Sequence, residues 1–309
     1  MGLTYIIIVT YNAMPWLEKC LGSIDFDQFK VVVVDNNSSD ETVATIKQNH
    51  PHIKLFEEKE NLGFGQANNK GISYALNQGA EHVYLLNQDA YLIGECLAQL
   101  LYTQHKYPNY GIVSPIHTNA EVTRLDRNFS NYVRYDINPD FYSDFVLGKK
   151  KKPIYDVPFV NAAGWLISKE CLMNVGGFDP IFFHYGEDDN YCQRVHYHGF
   201  KIGVVPTSFM VHDREDREKP VVQNYSEAYF KIQDRRLKIK FGNLNAYDEG
   251  QLSDHKKKVK RQLLKARIRR NKKAITGLKR QLQLIDKVSD EIKKSIELNK
   301  KKHPNYLNL

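Results

Sequence analysis

Short apolar runs alternate with helical patterns through the first part of the chain. Residues 5–9 (YIIIV) and 30–34 (KVVVV) are continuous runs of β-formers, which are typical of strands buried on both faces of a parallel sheet. Residues 15–24 between them carry apolar positions at helical spacing. The same alternation continues with a helix start at 39–42, a strand at 53–56, a helix at 65–76 and a strand at 83–86. It predicts an open α/β sheet with helices on both faces.

The pattern loosens after about residue 107. Residues 117–157 are polar, aromatic and loop-like, and they include the lysine run 149–152. Regularity returns at 159–167, and the chain then predicts a helix at 188–198 and a strand at 202–205. From about residue 252 onward the sequence indicates one or two long helices.

Polar residues follow three of the predicted strands. They are Thr10-Tyr11-Asn12, Asp35-Asn36-Asn37-Ser38-Ser39 and Asn87-Gln88-Asp89. One such ending is ordinarily a turn, but three together indicate a shared cleft, because ligands of open α/β sheets bind outside the carboxyl ends of the strands. Within it, Asp35 could accept a hydrogen bond from a pyrimidine N–H, and Tyr11 could lie against the base.

A glycine-containing loop, Asn61-Leu-Gly-Phe-Gly-Gln-Ala-Asn-Asn69, precedes the third helix. Gly63 and Gly65 permit close backbone approach, and N–H groups at a helix start can receive phosphate oxygens. The segment is neither a P-loop nor a GxGxxG fingerprint. A plain loop before an ordinary helix explains it equally well.

The strongest local cluster is the acidic run Glu187, Asp188 and Asp189 in the segment HYGEDDN. A helix N-terminus favours acidic side chains, which accounts for one or two of the three. A carboxylate beside a cleft could instead act as a general base. His212, in Val-His-Asp, is a candidate metal ligand, although a lone histidine is more often structural.

The cysteines do not indicate zinc or disulfides. The four of them form no CxxC pair, which fits a reducing compartment. The opening segment MGLTYIIIVTYN has no basic stretch, and no apolar run approaches the roughly 18 residues of a membrane span. We therefore expect a cytoplasmic protein, with peripheral contact at the inner face of the plasma membrane as an open alternative.

The charge is concentrated near one end of the chain. Residues 255–302 contain 19 Lys/Arg and 4 Asp/Glu, whereas the remainder of the chain contains 25 Lys/Arg and 32 Asp/Glu.

One heptad frame in this basic segment places apolar residues at the a and d positions: Leu264, Ile268, Ile275, Leu278, Leu282, Ile285, Ile292 and Ile296. Three interpretations remain open: a coiled coil or helical hairpin, a helix docked on the body, and a basic amphipathic helix on an anionic membrane. A homo-oligomer formed through these C-terminal helices is a further open alternative. No motif supports nucleic-acid binding.

Taken together, the segments resemble an inverting family 2 glycosyltransferase with the GT-A fold, a Rossmann-like open mixed sheet, and are most similar to its rhamnosyltransferase-like bacterial members. The resemblance covers residues 3–213. It is carried, in family order, by IIIVTYN, VVVVDNNSSDET, ENLGFGQANNKGI, LLNQDA, FVNAAGWLISKECLMNVGGFDPIFFHYGEDDNYCQR and HGFKIGVVPTSFMVHD. It implies a GT-A domain at 1–240, with a nucleotide-binding half at about 1–107 and an acceptor and catalytic half at about 108–240, followed by a basic helical extension at 241–309.

The resemblance also implies roles for individual residues. Asp89, the acid of the family's D-x-D element, would hold Mg²⁺ or Mn²⁺, and His212 would complete the metal site or contact the diphosphate. Asp188 would be the catalytic base beside Glu187 and Asp189. The nucleotide sugar would contact Thr10, Tyr11, Asn12, Asp35, Asn37, Asn61, Gly63, Gly65, Asn68 and Gln88. The chain departs from the pattern in two places. Asn87 replaces the first acid of D-x-D, and Asn190 replaces the last acid of E-D-x-D, so the base could instead be Asp189.

The implied function is transfer of a sugar, rhamnose or a similar hexose, from a dTDP- or UDP-sugar to a hydroxyl of a bacterial surface glycan, which could be lipid-linked. A nucleotidyltransferase is the nearest enzymatic alternative, but Thr10-Tyr11-Asn12 is not the Gly-rich basic loop which that chemistry uses. A non-enzymatic alternative is an inactive glycosyltransferase-like subunit that acts through its helical tail. The intact acids Asp89, Glu187 and Asp188 argue against it.

Overall fold

The apolar runs form one mixed sheet in the computed structural model of the chain, which describes residues 2–214 and 221–309. Its strands are β1 (Thr4–Thr10), β2 (Lys30–Asp35), β3 (Lys54–Glu57), β4 (His82–Asn87), β5 (Ala90–Ile93), β6 (Tyr110–Thr118), β7 (Tyr155–Asp156), β8 (Gly164–Ser168) and β9 (Lys201–His212). They lie in the order β3-β2-β1-β4-β8-β6-β9-β5, and β7 pairs with β9. The predicted open, mixed α/β architecture is confirmed.

The polar strand ends meet at one edge of this sheet. Strands β1, β2, β3 and β4 are parallel. Strand β8 is antiparallel to both β4 and β6, and β9 is parallel to β6. The carboxyl ends of β1, β2, β4, β6 and β9 therefore point to the same side, where ligands of open α/β sheets bind.

Helices cover both faces of the sheet. They are α1 (Leu17–Gly22), α2 (Thr42–Asn49), α3 (Phe64–Asn77), α4 (Cys96–Lys106), α5 (Arg127–Tyr132), α6 (Pro139–Val146), α7 (Lys169–Val175) and α8 (Glu187–Tyr197). Ile7 faces a core that includes side chains of α3, α7 and α8, whereas Ile6 and Ile8 face a core with side chains of α1, α2 and α4. Because successive residues of a strand point to opposite faces, this burial on both sides explains the uninterrupted apolar runs.

The loop expected at residues 117–157 is in fact partly helical. It contains α5 and α6, and each begins at a capping side chain. Asp126 accepts a hydrogen bond from the backbone N–H of Phe129, and Asn138 accepts one from that of Phe141. The helices are too short to produce a helical period in the sequence, so the caps were the available signal.

The chain forms two compact units. The first comprises residues 1–217 together with 302–309, and the second comprises residues 218–301. In the first unit, Gly177 donates its backbone N–H to the carbonyl of Asn305 (2.8 Å), and Asn308 donates its backbone N–H to Ser73 Oγ (3.0 Å). Residues 302–309 are thus packed against the sheet-bearing unit.

The second unit is helical. It contains α9 (Glu227–Phe241), a 3-10 helix (Leu244–Ala246), α10 (Glu249–Ile268) and α11 (Lys272–Asn299). Ion pairs of Lys256 with Asp286 and of Lys293 with Glu249 show that α10 and α11 run antiparallel. No helix among the described residues is long and apolar enough to cross a membrane.

The single heptad frame drawn through both helices is wrong for α10. Leu264 and Ile268 are 59% and 75% exposed, and the second unit instead buries Val259, Leu263 and Ala266. The frame crossed residues 269–271, where α10 ends and the chain reverses before α11, so its phase did not carry over. In α11 the structure buries Leu278, Ile285, Ile292 and Ile296 of the frame, but it also buries Val288, which the frame does not include.

This reassignment predicts opposite outcomes for two adjacent leucines. We expect Leu263→Ala to lower the free energy of unfolding by about 2–5 kcal/mol, as buried Leu-to-Ala changes do. Leu264→Ala is the matched control, with the same change in helix propensity, and should alter it by about 0.5 kcal/mol or less. Chemical denaturation followed by circular dichroism measures both. A larger loss for Leu264→Ala would restore the original heptad frame.

Candidate active site

Asp35 joins the ends of β1 and β2. Its carboxylate is 2% exposed. Oδ1 accepts hydrogen bonds from Thr10 Oγ1 (2.8 Å) and Ser38 Oγ (2.5 Å), and Oδ2 accepts one from the backbone N–H of Ser38 (2.8 Å). These bonds hold the carboxylate at the sheet edge. Its contact with a nucleotide base stays a prediction.

The loops after β1 and β4 are joined by a side-chain amide. Gln88 accepts a hydrogen bond from the backbone N–H of Tyr11 at Oε1 (2.7 Å) and donates one from Nε2 to the Tyr11 carbonyl (3.2 Å). Asn12 accepts a hydrogen bond from the backbone N–H of Ser39 (2.8 Å). Asn12 and Asn37 both have left-handed backbone, with φ of 51° and 68°. The structure thus brings these predicted residues together, and it leaves the Tyr11 side chain exposed beside them.

Asn36, which the sequence analysis gave no role, ties the glycine loop to this edge. Its Nδ2 donates to the Gly63 carbonyl (3.2 Å), and its Oδ1 accepts from the backbone N–H of Leu62 (3.1 Å). Within the loop, Asn61 accepts a hydrogen bond from the backbone N–H of Gly63 (2.8 Å). The loop before α3 is therefore held close to the end of β2.

The glycines of this loop have a packing role. A β-carbon at Gly63 would lie 2.0 Å from the carbonyl oxygen of Phe183, and one at Gly65 would lie 2.9 Å from Cβ of Phe178. Gly63 also has a φ of 79°, which side-chain-bearing residues rarely adopt. The segment that leads into α8 thus lies directly on the glycine loop. Phosphate binding by the loop stays a prediction.

Asn69 clamps the same segment from α3. Its side chain donates to the carbonyl of Phe178 (2.8 Å) and accepts from the backbone N–H of Phe178 (2.7 Å). Asn68, one of the residues predicted to bind the nucleotide sugar, is buried and donates to the Phe64 carbonyl of its own helix (3.0 Å). Two consecutive asparagines in a predicted helix were the available signal, because amides that become buried need polar partners.

Asp89 and His212 are brought together by strand pairing. Ala90 of β5 lies opposite His212 of β9, and the backbone N–H of Asp213 donates to the Asp89 carbonyl (2.7 Å). Asp89 Oδ1 and His212 Nε2 are 3.6 Å apart. Nearby, the buried Oδ1 of Asn87 has no hydrogen-bond partner among the described residues.

The pair fits a divalent cation. Two atoms 3.6 Å apart can both bind one ion at the roughly 2.1 Å typical of Mg²⁺. Within residues 2–214 and 221–309, no cluster of three or more His, Cys, Asp or Glu side chains could hold a metal ion. Two protein ligands nevertheless suit Mg²⁺ or Mn²⁺ at a diphosphate, where phosphate oxygens and water complete the coordination.

The predicted acidic cluster begins α8. Gly186 has left-handed backbone (φ 92°), and Glu187, Asp188 and Asp189 form the first helical turn. The backbone N–H of Asp189 donates to Asp188 Oδ1 (2.9 Å). Tyr132 lies within electrostatic range of both this cluster and Asp126. Burial raises the pKa of Tyr132, and the charges of Asp188 and Asp126 add to the effect. The start of α8 and Asp126 thus both lie near Tyr132.

The sequence did not predict the ion pair between Asp126 and Arg214, which lies near His212. Asp126 is buried and accepts hydrogen bonds from Arg214 Nε (3.0 Å) and Nη2 (2.9 Å). Burial opposes ionisation of Asp126, but the bonds from Arg214 and from the backbone N–H of Phe129 outweigh it and lower its pKa. The sequence predicted only a loop at residues 117–157, and no local pattern indicated that Asp126 pairs with Arg214.

His117 lies behind His212. It is fully buried, its Nε2 is 3.0 Å from Ser114 Oγ, and its ring centroid is 6.0 Å from that of His212. Burial, followed by the proximity of His212, holds the pKa of His117 well below its ordinary value. The His117 ring that packs against His212 is therefore neutral.

Comparison with known proteins places these features in a family. The model of glycosyl transferase family 2 matches residues 5–176. The low-salt glycan biosynthesis hexosyltransferase Agl10 of Haloferax volcanii is 27% identical over 230 residues, covering 74% of this chain and 71% of the relative. The N-acetylglucosaminyl-diphospho-decaprenol L-rhamnosyltransferase of Mycobacterium tuberculosis is 23% identical over 260 residues (74% and 84%). The dTDP-rhamnosyl transferase RfbF of Shigella flexneri is 26% identical over 219 residues (69% and 70%).

Solved structures share the fold. GalNAc-T7 with UDP, GalNAc and Mn²⁺ superposes with a TM-score of 0.55 at 15% identity. The match covers 77% of this chain but only 47% of that one. The mannosyltransferase PcManGT of Pyrobaculum calidifontis, in complex with GDP-Man and Mn²⁺, gives 0.52 at 22% identity and covers 79% and 63%. These likenesses show a shared fold and support the GT-A-like architecture.

The family match extends over more than half of the chain and includes the strand ends that carry Asp35 and Asp89. The relatives named above are hexosyltransferases, two of them rhamnosyltransferases. The motif resemblance found in the sequence is thereby confirmed, and the chain belongs to glycosyl transferase family 2 as a hexosyltransferase.

Proposed function

We propose that the protein is a metal-dependent inverting glycosyltransferase that moves rhamnose or a similar hexose from a dTDP- or UDP-sugar to a hydroxyl of a bacterial surface glycan. The observation that carries this proposal is the pairing of β5 with β9, which puts Asp89 Oδ1 3.6 Å from His212 Nε2. This pair lies at the sheet edge that Asp35 also occupies. A carboxylate and an imidazole at that edge suit a cation bound to a sugar-nucleotide diphosphate.

The names of the relatives support the choice of substrates. One relative is a dTDP-rhamnosyl transferase, and another acts on N-acetylglucosaminyl-diphospho-decaprenol. By analogy, we propose a dTDP- or UDP-linked donor and a lipid-linked glycan as the acceptor. An acceptor of this kind would bring the enzyme to a membrane surface without requiring a membrane-spanning helix.

Asp89 and His212 would hold the ion, and Mg²⁺ or Mn²⁺ would serve as a Lewis acid that offsets charge on the leaving diphosphate. The nucleoside half of the donor would occupy the ends of β1 and β2. There Tyr11 presents its exposed ring and Asp35 its fixed carboxylate. These residues would orient the donor so that the anomeric carbon faces the start of α8.

Asp188 would take the proton from the acceptor hydroxyl. The acceptor oxygen would bond to the anomeric carbon as the bond to the diphosphate breaks on the opposite face, so one displacement inverts the configuration. The hydrogen bond from the backbone N–H of Asp189 to Asp188 Oδ1 supports this assignment because it orients the carboxylate. The positive end of the α8 dipole stabilises its ionised form.

Direct assay tests the proposed function. The protein with MnCl2 should hydrolyse or transfer from at least one of dTDP-rhamnose, UDP-glucose, UDP-galactose and their N-acetyl counterparts. Proton NMR should show that the released or transferred sugar has inverted anomeric configuration. A product of retained configuration would contradict the single displacement. Inactivity toward the whole panel, with and without lipid-linked acceptors, would favour the inactive-subunit alternative.

The base assignment predicts a difference between neighbouring acids. Asp188→Asn should lower kcat by about 10²–10⁴, as loss of a positioned general base does, while donor affinity by calorimetry stays unchanged. Asp189→Asn is the matched control and should retain most of the activity. An inactive Asp189→Asn beside an active Asp188→Asn would move the base to Asp189.

The ion assignment predicts a loss of metal dependence. Asp89→Ala should abolish the strengthening of UDP or dTDP binding by MnCl2, because it removes the anionic ion ligand. The melting temperature should change little, since the side chain is partly exposed and fills no core cavity. Calorimetry with MnCl2 or with EDTA measures this, and Asp136→Ala, which removes an exposed carboxylate, serves as the control. Equal metal dependence in Asp89→Ala and the wild type would refute the assignment.

A further inference from the structure

Arg214 lies beside the predicted ion ligands but has no role in the reaction described above. Its backbone N–H donates to the His212 carbonyl (2.9 Å), and the preceding residue, Asp213, donates to the Asp89 carbonyl (2.7 Å). These backbone bonds fix the position of Arg214 relative to Asp89. A guanidinium is charged at any ordinary pH, and Asp126 holds this one through hydrogen bonds of 3.0 and 2.9 Å. The side chain is therefore a fixed cation at the sheet edge.

The contact with Asp126 uses only one side of the guanidinium. Of its five N–H donors, Asp126 accepts the Nε donor and one donor of Nη2. The remaining three bond to no other residue within the described part of the chain. The Arg214 side chain is 26% exposed, whereas that of Asp126 is 6% exposed. An arginine held in this way on a buried carboxylate can bind a second anion with its other edge.

We propose that Arg214 binds the β-phosphate of the sugar nucleotide and that Asp126 is the positioning residue that holds Arg214 for this contact. The inference rests on the proposed function, which supplies the diphosphate. The nucleoside diphosphate leaves with at least two negative charges. A preorganised guanidinium would therefore stabilise this leaving group alongside the ion. The geometry thus adds a second, protein-derived cation to the metal site.

Asp126 is suited to positioning because it is itself immobilised. It begins α5 and accepts the backbone N–H of Phe129 (2.8 Å). Its Oδ2 also lies 4.0 Å from His212 Nδ1, so one buried carboxylate faces both the cation and the imidazole. A guanidinium already fixed on such a carboxylate loses little side-chain entropy when it binds a phosphate.

The test compares nucleotides with and without the β-phosphate. Calorimetry in excess MnCl2 gives dissociation constants for UDP and UMP and for dTDP and dTMP. Arg214→Gln should weaken diphosphate binding by about 10- to 100-fold, the value of a charge-assisted hydrogen bond, and leave monophosphate binding unchanged. Arg214→Lys keeps the positive charge but loses the planar guanidinium with its paired N–H donors. Its dissociation constant for the diphosphate should lie between those of the wild type and Arg214→Gln.

Asp126→Asn tests the positioning role. Asparagine caps a helix as well as aspartate does, so the fold should persist, as circular dichroism would show. The variant should weaken diphosphate but not monophosphate binding. The double variant with Arg214→Gln should bind no more weakly than Arg214→Gln alone, because both changes remove one contact. Arg127→Gln, an exposed neighbour that loses the same charge, should behave as wild type.

Each contrary result has a distinct meaning. Diphosphate binding that survives Arg214→Gln would overturn the phosphate contact. Equal weakening of monophosphate and diphosphate by Asp126→Asn, or losses that add to those of Arg214→Gln, would make Asp126 a structural residue and overturn its positioning role. If Asp126→Asn does not fold, Arg214→Gln and Arg214→Lys alone test the phosphate contact. Asp126→Glu, alone and combined with Arg214→Gln, then tests positioning: losses of diphosphate affinity that add would overturn the positioning role. Wild-type protein that binds neither diphosphate would contradict the proposed function itself, and the inference with it.

Discussion

The register between β5 and β9 determines the candidate site. Ala90 lies opposite His212, so an acid and an imidazole from distant parts of the sequence are held together by backbone hydrogen bonds between strands. A slip of one residue in β5 would pair Ala90 with a different residue of β9 and move Asp89 away from His212. Two side chains held in this way would lose little conformational entropy on binding the proposed ion.

A second set of contacts sets the position of α8 relative to this edge. Asn69 bonds both backbone groups of Phe178, and the two glycines of the loop before α3 leave room for the segment that follows. The position of the helix that carries Asp188 therefore depends on α3. A change at Asn69 would shift the segment that leads into α8 without removing a predicted substrate contact.

The sequence was informative where the physics is local. Burial on both faces produces continuous apolar strands, and the polar ends of parallel strands meet at one edge of an open sheet. The location of Asp35 and Asp89 at that edge could therefore be predicted. The partners of Asn36, Asn69 and Asp126 lie far along the chain, and no local pattern encodes such pairs. The heptad frame failed in α10 for a related reason: the chain reverses after Ile268, and the side that becomes buried depends on which helices pack there.

The central claim is that Asp89 and His212 share one cation at the sheet edge. A crystal of the protein grown with MnCl2 and UDP or dTDP, with diffraction data collected at the manganese absorption edge, measures this directly. We predict a single anomalous peak bonded to Asp89 Oδ1 and His212 Nε2 and to oxygens of the diphosphate. A manganese peak that contacts neither side chain, with nucleotide present in the cleft, would contradict it.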